Sequence, residues 1–291
     1  MSNSWTRFSD MKHTAAIYGV ELCRPAVMTV VNVTPDSFYD ASRTLCEEDI
    51  CNRVQQAIAD GCSIIDVGGC SSRPGASDVA ADEEWRRVRL GIKCIRSISR
   101  DIPISVDTFR SSVAAKALAE DNRIIINDIS AGEMDADIIK VAAEAGVPYI
   151  AMHMRGTPST MENKTGYGDV TADIVEYFSR KVDELIHKGI CESNILLDPG
   201  FGFAKTLDQN YEVLGGLHRL AGLGFPIVAG VSRKSMIYKV TESTSAESLA
   251  GTTALHWELL RQGTAVLRVH DTREAADVIK IYNKYKSVNN R

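Results

Sequence analysis

Seven residues able to hold a ligand follow, or close, short apolar runs. Asn32 ends A-V-M-T-V-V-N, Asp107 ends P-I-S-V-D, Asn127 ends R-I-I-I-N and Asp198 ends I-L-L-D. Lys234 stands after P-I-V-A-G-V-S-R, and Arg268 and His270 close T-A-V-L-R-V-H. They form two chemical sets. Asp107, Asn127, Asp198 and Lys234 combine hydrogen-bond donors and acceptors that suit a flat polar heterocycle. Asn32, Arg268 and His270, with Arg73 from a loop, suit an anion such as a phosphate. Arg268 and His270 are two positions apart, so on a strand end both side chains leave on one face. Removing Arg268 is expected to weaken the anion by roughly tenfold or more while sparing the heterocycle.

Taken singly, each residue has a plainer reading. Asp198 before Pro199 is also the pattern of a turn former that bonds its own backbone. Lys234 reads equally as a surface lysine, and R-V-H as an ordinary strand end. These readings weaken together, because strand after strand would have to end in a polar residue by accident. Asp66 lies one residue inside its run and is read as orienting loop residues from outside the contact set. Asp128 and Glu133 are read as solvated or as helix caps, His153 as structural, and Cys70 as a small loop residue within reach of a thiol reagent.

The elements that must position these side chains alternate regularly. Apolar runs rich in β-branched residues occupy 26–31, 63–67, 103–106, 123–126, 148–152, 195–197, 226–231 and 264–269, each bounded by turn residues. Pro35 cannot donate to a sheet ladder, so the first run ends before it. Helical periodicity fills 47–60, 82–99, 110–120, 134–145, 171–188, 211–223, 246–261 and 273–285; Ile50, Val54, Ala57 and Ile58 fall on one side of the first. Strand starts are 20 to 47 residues apart, enough for a crossover helix each time. Eight such units predict a single α/β domain over 25–291, a (β/α)8 barrel of the TIM type with long loops after strands 1 and 2. An open doubly wound sheet is the competing architecture, but no G-x-G-x-x-G opens the first unit. Residues 1–24 form a polar extension, either a tail or a short hairpin closing the bottom of the fold.

The 291 residues carry a net charge of −5, with 44% hydrophobic side chains. That composition supports a large core and argues against nucleic acid as a partner, since no basic stripe is present. Seven cysteines, none in a C-x-x-C pair, indicate neither a zinc site nor a disulfide framework and suit a reducing, cytoplasmic setting. The N-terminus lacks the apolar centre of a signal peptide, and no run approaches the ~20 apolar residues of a membrane span.

At these residues the chain resembles the dihydropteroate synthases of the folate pathway. The motifs are N-V-T-P-D-S-F at 32–38, S-S-R-P-G-A at 71–76, S-V-D-T at 105–108, I-N-D-I-S at 126–130, M-H-M-R-G-T-P at 152–158, L-D-P-G-F-G-F at 197–203, G-V-S-R-K-S at 230–235 and L-R-V-H-D at 267–271. The resemblance implies condensation of 6-hydroxymethyl-7,8-dihydropterin pyrophosphate with p-aminobenzoate, giving 7,8-dihydropteroate and pyrophosphate with Mg²⁺ assisting. It implies that Asp107, Asn127, Asp198 and Lys234 hold the pterin, with Met152 and Phe203 against its ring. Asn32, Arg73, Arg268 and His270 would hold the pyrophosphate, Asn32 through the metal. Phe38, Ser72, Arg73, Pro74, Lys234 and Ser235 would border p-aminobenzoate. Asp40, Asp107 and Lys234 would serve the chemistry, Asp40 reaching the reacting carbon from the first loop. A homodimer is the implied assembly. The chain departs from the usual family pattern at Cys70, commonly acidic, at Ser72, commonly Thr, and at Ala41–Ser42, commonly Gly-Gly; the last pair should stiffen the first loop.

Three rival readings remain. A pterin-binding methyltransferase would use Asp107, Asn127 and Asp198 but has no need of R-V-H or S-R-K-S. A Schiff-base aldolase would use Lys234 as nucleophile. A non-catalytic pterin-binding relative would have lost Asn32, Asp40 or Arg73, all of which stand here.

Overall fold

A computed structural model describes residues 16–33, 47–71 and 79–289. A two-stranded hairpin, β1 (Ala16–Ile17) and β2 (Val20–Glu21), precedes the main body. The body's strands are β3 (Ala26–Asn32), β4 (Ile64–Gly68), β5 (Ile104–Asp107), β6 (Ile124–Asp128), β7 (Tyr149–Met152), β8 (Ile195–Asp198), β9 (Ile227–Ala229) and β10 (Thr264–Val269). All pair in parallel with their sequence neighbours, and β10 pairs with β3 to close the barrel. The helices between them are α1 (Glu47–Ala59), α2 (Ala81–Ile98), α3 (Ser111–Glu120), α4 (Asp137–Ala145), α5 (Val170–His187), α6 (Leu207–Ala221), α7 (Ser235–Tyr238) and α8 (Leu249–Arg261), with α9 (Thr272–Asn289) last.

The strands are almost wholly apolar, and mostly rich in Val and Ile, because both faces are buried, one inside the barrel and one under the helices. In α1, Ile50, Val54 and Ala57 are buried as the period requires, while Ile58 is only half-buried. The hairpin closes the bottom of the barrel. Ile17 and Leu22 pack with Met28 and Ile64, the Tyr18 hydroxyl donates to the Ile124 carbonyl at 3.0 Å, and Arg123 reaches back to the Tyr18 carbonyl.

Element ends differ from the periodicity where polar first turns carry the signal. Helix α6 starts at Leu207, four residues before its apolar pattern, on a capping box in which Thr206 and Gln209 exchange side-chain and backbone bonds. Helix α4 starts at Asp137 rather than 134, because Asp128 organises the segment before it. Its carboxylate accepts from Ser130 N (2.8 Å), Ser130 Oγ (2.8 Å), Gly132 N (2.6 Å) and Tyr149 Oη (2.7 Å). Asp128 is therefore fully buried, neither solvated nor a helix cap; Glu133 is the solvated one, accepting from Tyr177 Oη at 3.0 Å. The segment read as one helix over 246–261 is preceded by the short α7 and begins at Leu249.

Candidate active site

Parallel register carries the strand-end residues to one mouth. Asn32 pairs with Gly68, Gly68 with Asp107, Asp107 with Asn127, and Met152 with Asp198. Arg268, on β10, reaches across the interior. Its Nε donates to Asp66 Oδ2 at 2.7 Å, and its Nη2 lies 2.6 Å from Asp66 Oδ2 and 2.7 Å from Asp107 Oδ2. Asp66 is wholly buried, and the Arg268 side chain is only 22% exposed. The two chemical sets separated along the chain thus meet at one guanidinium.

Burial and charge pull the ionisable groups of the mouth together. Burial pushes the Asp107 carboxyl up to about 7; Arg268 opposes that rise, while Asp66, Glu84 and Asp128 add to it. Burial also raises Asp198, against the pull of Lys234. Lys234 is lowered to about 8 by burial, with Asp198 holding it up. Arg268 stays above its ordinary value, since its carboxylate partners outweigh the cost of burial.

Asp198 makes the turn contact and leaves one oxygen over. Its Oδ1 accepts from Gly200 N at 2.8 Å, a turn contact, while its Oδ2 makes no bond to a described residue. The loop that follows is tied to β7 by Lys205, whose Nζ contacts Gly200 O (2.9 Å), Phe203 O (3.0 Å) and His153 Nδ1 (3.2 Å). Burial lowers Lys205 to about 7. His153 is buried edge-on against Tyr177 at 4.9 Å between ring centroids, a structural position, and burial depresses its protonation. Met152 sits in an apolar patch with Ile129, Met154 and Met161 against which Phe203 packs, and Lys234 Nζ lies 5.1 Å from the Phe203 ring centre while donating to the Phe201 carbonyl. Gly200 has φ +69°, and a Cβ there would fall 2.1 Å from the His153 carbonyl oxygen. Gly200→Ala is therefore expected to destabilise the protein by about 2–4 kcal/mol, by strain in the left-handed region plus a backbone clash, read as a lowered urea midpoint with unchanged slope.

At the end of β10, the His270 backbone N–H donates to Ser232 Oγ at 3.2 Å, and its Nδ1 lies 3.2 Å from the same oxygen. Its carbonyl accepts from Arg53 on α1. Arg233 grips Asp271 with two bonds of 2.9 and 2.7 Å, joining the loop after β9 to the loop after β10. Ser235 begins α7 beside Lys234. A small cleft runs from Asp107, Thr108 and Phe109 to Cys70 and Ser71, at the root of the second long loop. Phe38, Asp40, Ala41–Ser42, Ser72, Arg73 and Pro74 lie outside the described residues.

Two contributors, Lys205 and Arg233, escaped the sequence reading, and a third, Asp66, was placed with the wrong partners. Asp66 had a legible signal, an acid inside an apolar strand, which burial obliges to find a partner; it orients strand residues rather than the loop. Lys205 and Arg233 had none, because His153 and Asp271, the distant partners they reach, follow other strands.

Residues 28–270 match the family described as pterin binding enzyme. The chain is 40% identical over 259 residues to a dihydropteroate synthase of Synechocystis, covering 89% of each. Among solved structures it is similar to Xanthomonas albilineans dihydropteroate synthase with 4-aminobenzoic acid (TM-score 0.85, 34% identity, 92% of this chain and 95% of that one). It is likewise similar to that enzyme in complex with 7,8-dihydropteroate (TM-score 0.82, 31% identity, 91% and 95%). With a mouth suited to a polar heterocycle at the C-terminal end of a closed barrel, and relatives matched over nine-tenths of its length, the chain belongs to the dihydropteroate synthases, within the pterin-binding enzyme family.

Proposed function

We propose that this mouth joins 6-hydroxymethyl-7,8-dihydropterin pyrophosphate to p-aminobenzoate, releasing pyrophosphate and forming 7,8-dihydropteroate. The observation that carries the reading is the convergence of Asp107, Asn127, Asp198, Lys234 and Arg268 at one end of the barrel. The relatives' complexes with 4-aminobenzoic acid and with 7,8-dihydropteroate support it. The pterin lies on Asp107, Asn127, Asp198 and Lys234, against Met152 and Phe203. The C–O bond to pyrophosphate breaks, its electron pair leaves with the oxygen, and the ring-stabilised cation forms beside Asp107, with Asp40 brought from the first loop. The amine of p-aminobenzoate is nucleophilic at neutral pH; its nitrogen bonds the methylene and then loses a proton to water. Arg268, His270 and Arg73 stabilise the departing anion.

Asn32 is half-buried next to Gly68, and a Cβ on Gly68 would lie 3.5 Å from its amide oxygen. No cluster of three metal-ligating side chains occurs among the described residues. One hard oxygen fits an ion that keeps most of its waters and arrives on substrate phosphates. Mg²⁺, when bound at Asn32, would supply neutralisation of phosphate charge. Among the described residues no helix is long and apolar enough to cross a membrane. A cytoplasmic homodimer is the assembly and setting we propose.

The test is pyrophosphate release by the purified chain with the pterin substrate, with and without p-aminobenzoate. Release that requires p-aminobenzoate, with dihydropteroate formed in equal amount, is expected. Absence of both products would overturn the reading, and borohydride trapping of a carbonyl substrate on Lys234 would replace it with an aldolase.

A pH dependence follows from the paired groups. Asp107 must be ionised to hold a pterin N–H, so affinity for 6-hydroxymethylpterin rises with pH through about 7. Lys234 must be charged, so affinity falls again above about 8. The probe carries no phosphate, so its own phosphate ionisation cannot produce the acid limb. Lys234→Arg keeps the charge and should move the alkaline limb upward; a limb that stays put would remove Lys234 from this role.

A further inference from the structure

We infer that Asp66, buried one layer below the mouth, is the positioning residue that decides which donors and acceptors Asn127 and Arg268 present to the substrate. The inference rests on the function proposed above. Asp66 pairs in register with Ser105, two positions before Gly68 and Asp107 on the same inward faces. Its Oδ1 accepts from Ser105 Oγ at 2.5 Å and from Asn127 Nδ2 at 3.2 Å, and its Oδ2 accepts from Arg268 Nε at 2.7 Å. One carboxylate thus ties β4 to β5, β6 and β10.

An ionised carboxylate only accepts. Asn127 can therefore face Asp66 only with its NH₂, which turns its carbonyl oxygen and its second N–H toward the mouth. The reversed amide would set oxygen against oxygen inside the protein, where mismatch is costly. The same logic holds Arg268: Nε and Nη2 are taken by Asp66 and Asp107, so Nη1 is the part of the guanidinium without a hydrogen bond to a described residue. Ser105 completes the arrangement by holding Oδ1 in place.

If Asp66 were only a buried counter-ion, its loss would lower stability and affinity irrespective of Asn127. If it acts through Asn127 and Arg268, the effects are coupled. Asp66→Asn is nearly isosteric but lets the Asn127 amide face it either way. In calorimetry with 6-hydroxymethylpterin, Asp66→Asn is expected to raise Kd by about tenfold or more. In an Asn127→Ala background the same change should raise it by no more than about threefold. At saturating pterin pyrophosphate, KM for p-aminobenzoate should stay within about twofold of the unaltered chain, which a general loosening of the barrel would not allow. Equal factors in the two backgrounds, or an unchanged Kd, would overturn the inference. Should Asp66→Asn fail to fold, Ser105→Ala keeps the carboxylate and releases only Oδ1; a rise of about threefold in the pterin Kd is expected, and none would overturn the inference. An unaltered chain that binds no pterin would instead overturn the functional reading, a result the cycle of variants cannot mimic.

Discussion

Arg268→Ala is expected to lower stability by about 3–5 kcal/mol, because it removes the shared partner of two buried carboxylates. Asp66 has no exposure with which to recover solvation, and the Asp107 side chain is 14% exposed. For a chain of this size the melting temperature should fall by about 6–15 °C. Asp107 has a raised folded value, so it contributes stability that is present at acid pH and lost as pH rises through about 7. Removing Arg268, the group that opposes that rise, moves the window higher still. The deficit of the variant should therefore be smallest near pH 5 and grow toward pH 8. Read from sequence alone, Arg268 served the anion and its loss spared a free pterin. With Arg268 bonded to Asp107, loss of the guanidinium also disturbs a pterin contact, so affinities for pyrophosphate and for 6-hydroxymethylpterin should both fall about tenfold or more. Retained pterin affinity, or a deficit independent of pH, would show that the bridge to Asp107 does not operate in solution.

Asp198→Asn should weaken pterin binding by about 2–4 kcal/mol, roughly 30- to 1,000-fold, with little loss of stability. The pterin's amino-pyrimidinone edge presents two adjacent N–H donors, which a carboxylate matches with two acceptors. In the variant, Gly200 N–H demands an oxygen at the position of Oδ1, so the amide nitrogen must take the place of Oδ2. The loop keeps its turn bond while a donor now faces a donor of the ligand. Loss of the carboxylate also removes the group that holds Lys234 up, so the alkaline limb of pterin binding should move to lower pH. Pyrophosphate binding should survive. A large drop in melting temperature with unchanged pterin affinity would assign Asp198 to the turn alone.

Pyrophosphate with Mg²⁺ is expected to tighten p-aminobenzoate binding; equal affinity for p-aminobenzoate with and without pyrophosphate would show that the two ligands bind independently.

Sequence alone determined the architecture, because strand and helix periods are local properties and eight repeats leave few ways to bury eight two-faced strands. It also determined which residues stand near the mouth, since the C-terminal end of a strand lies at that end of the barrel whatever lies opposite. Hence Asn32, Asp107, Asn127 and Asp198 were legible one by one. Only the tertiary structure decided how they are wired. Arg268 and Asp66 are 202 positions apart, and nothing local in either strand specifies that they meet. Register and barrel closure make them neighbours, and burial then turns proximity into an ion pair that neither can leave without cost. The same closure took Asp128 out of solvent, set Lys205 against His153 and clamped Arg233 to Asp271, because the energy of a buried polar group depends on partners supplied by other strands.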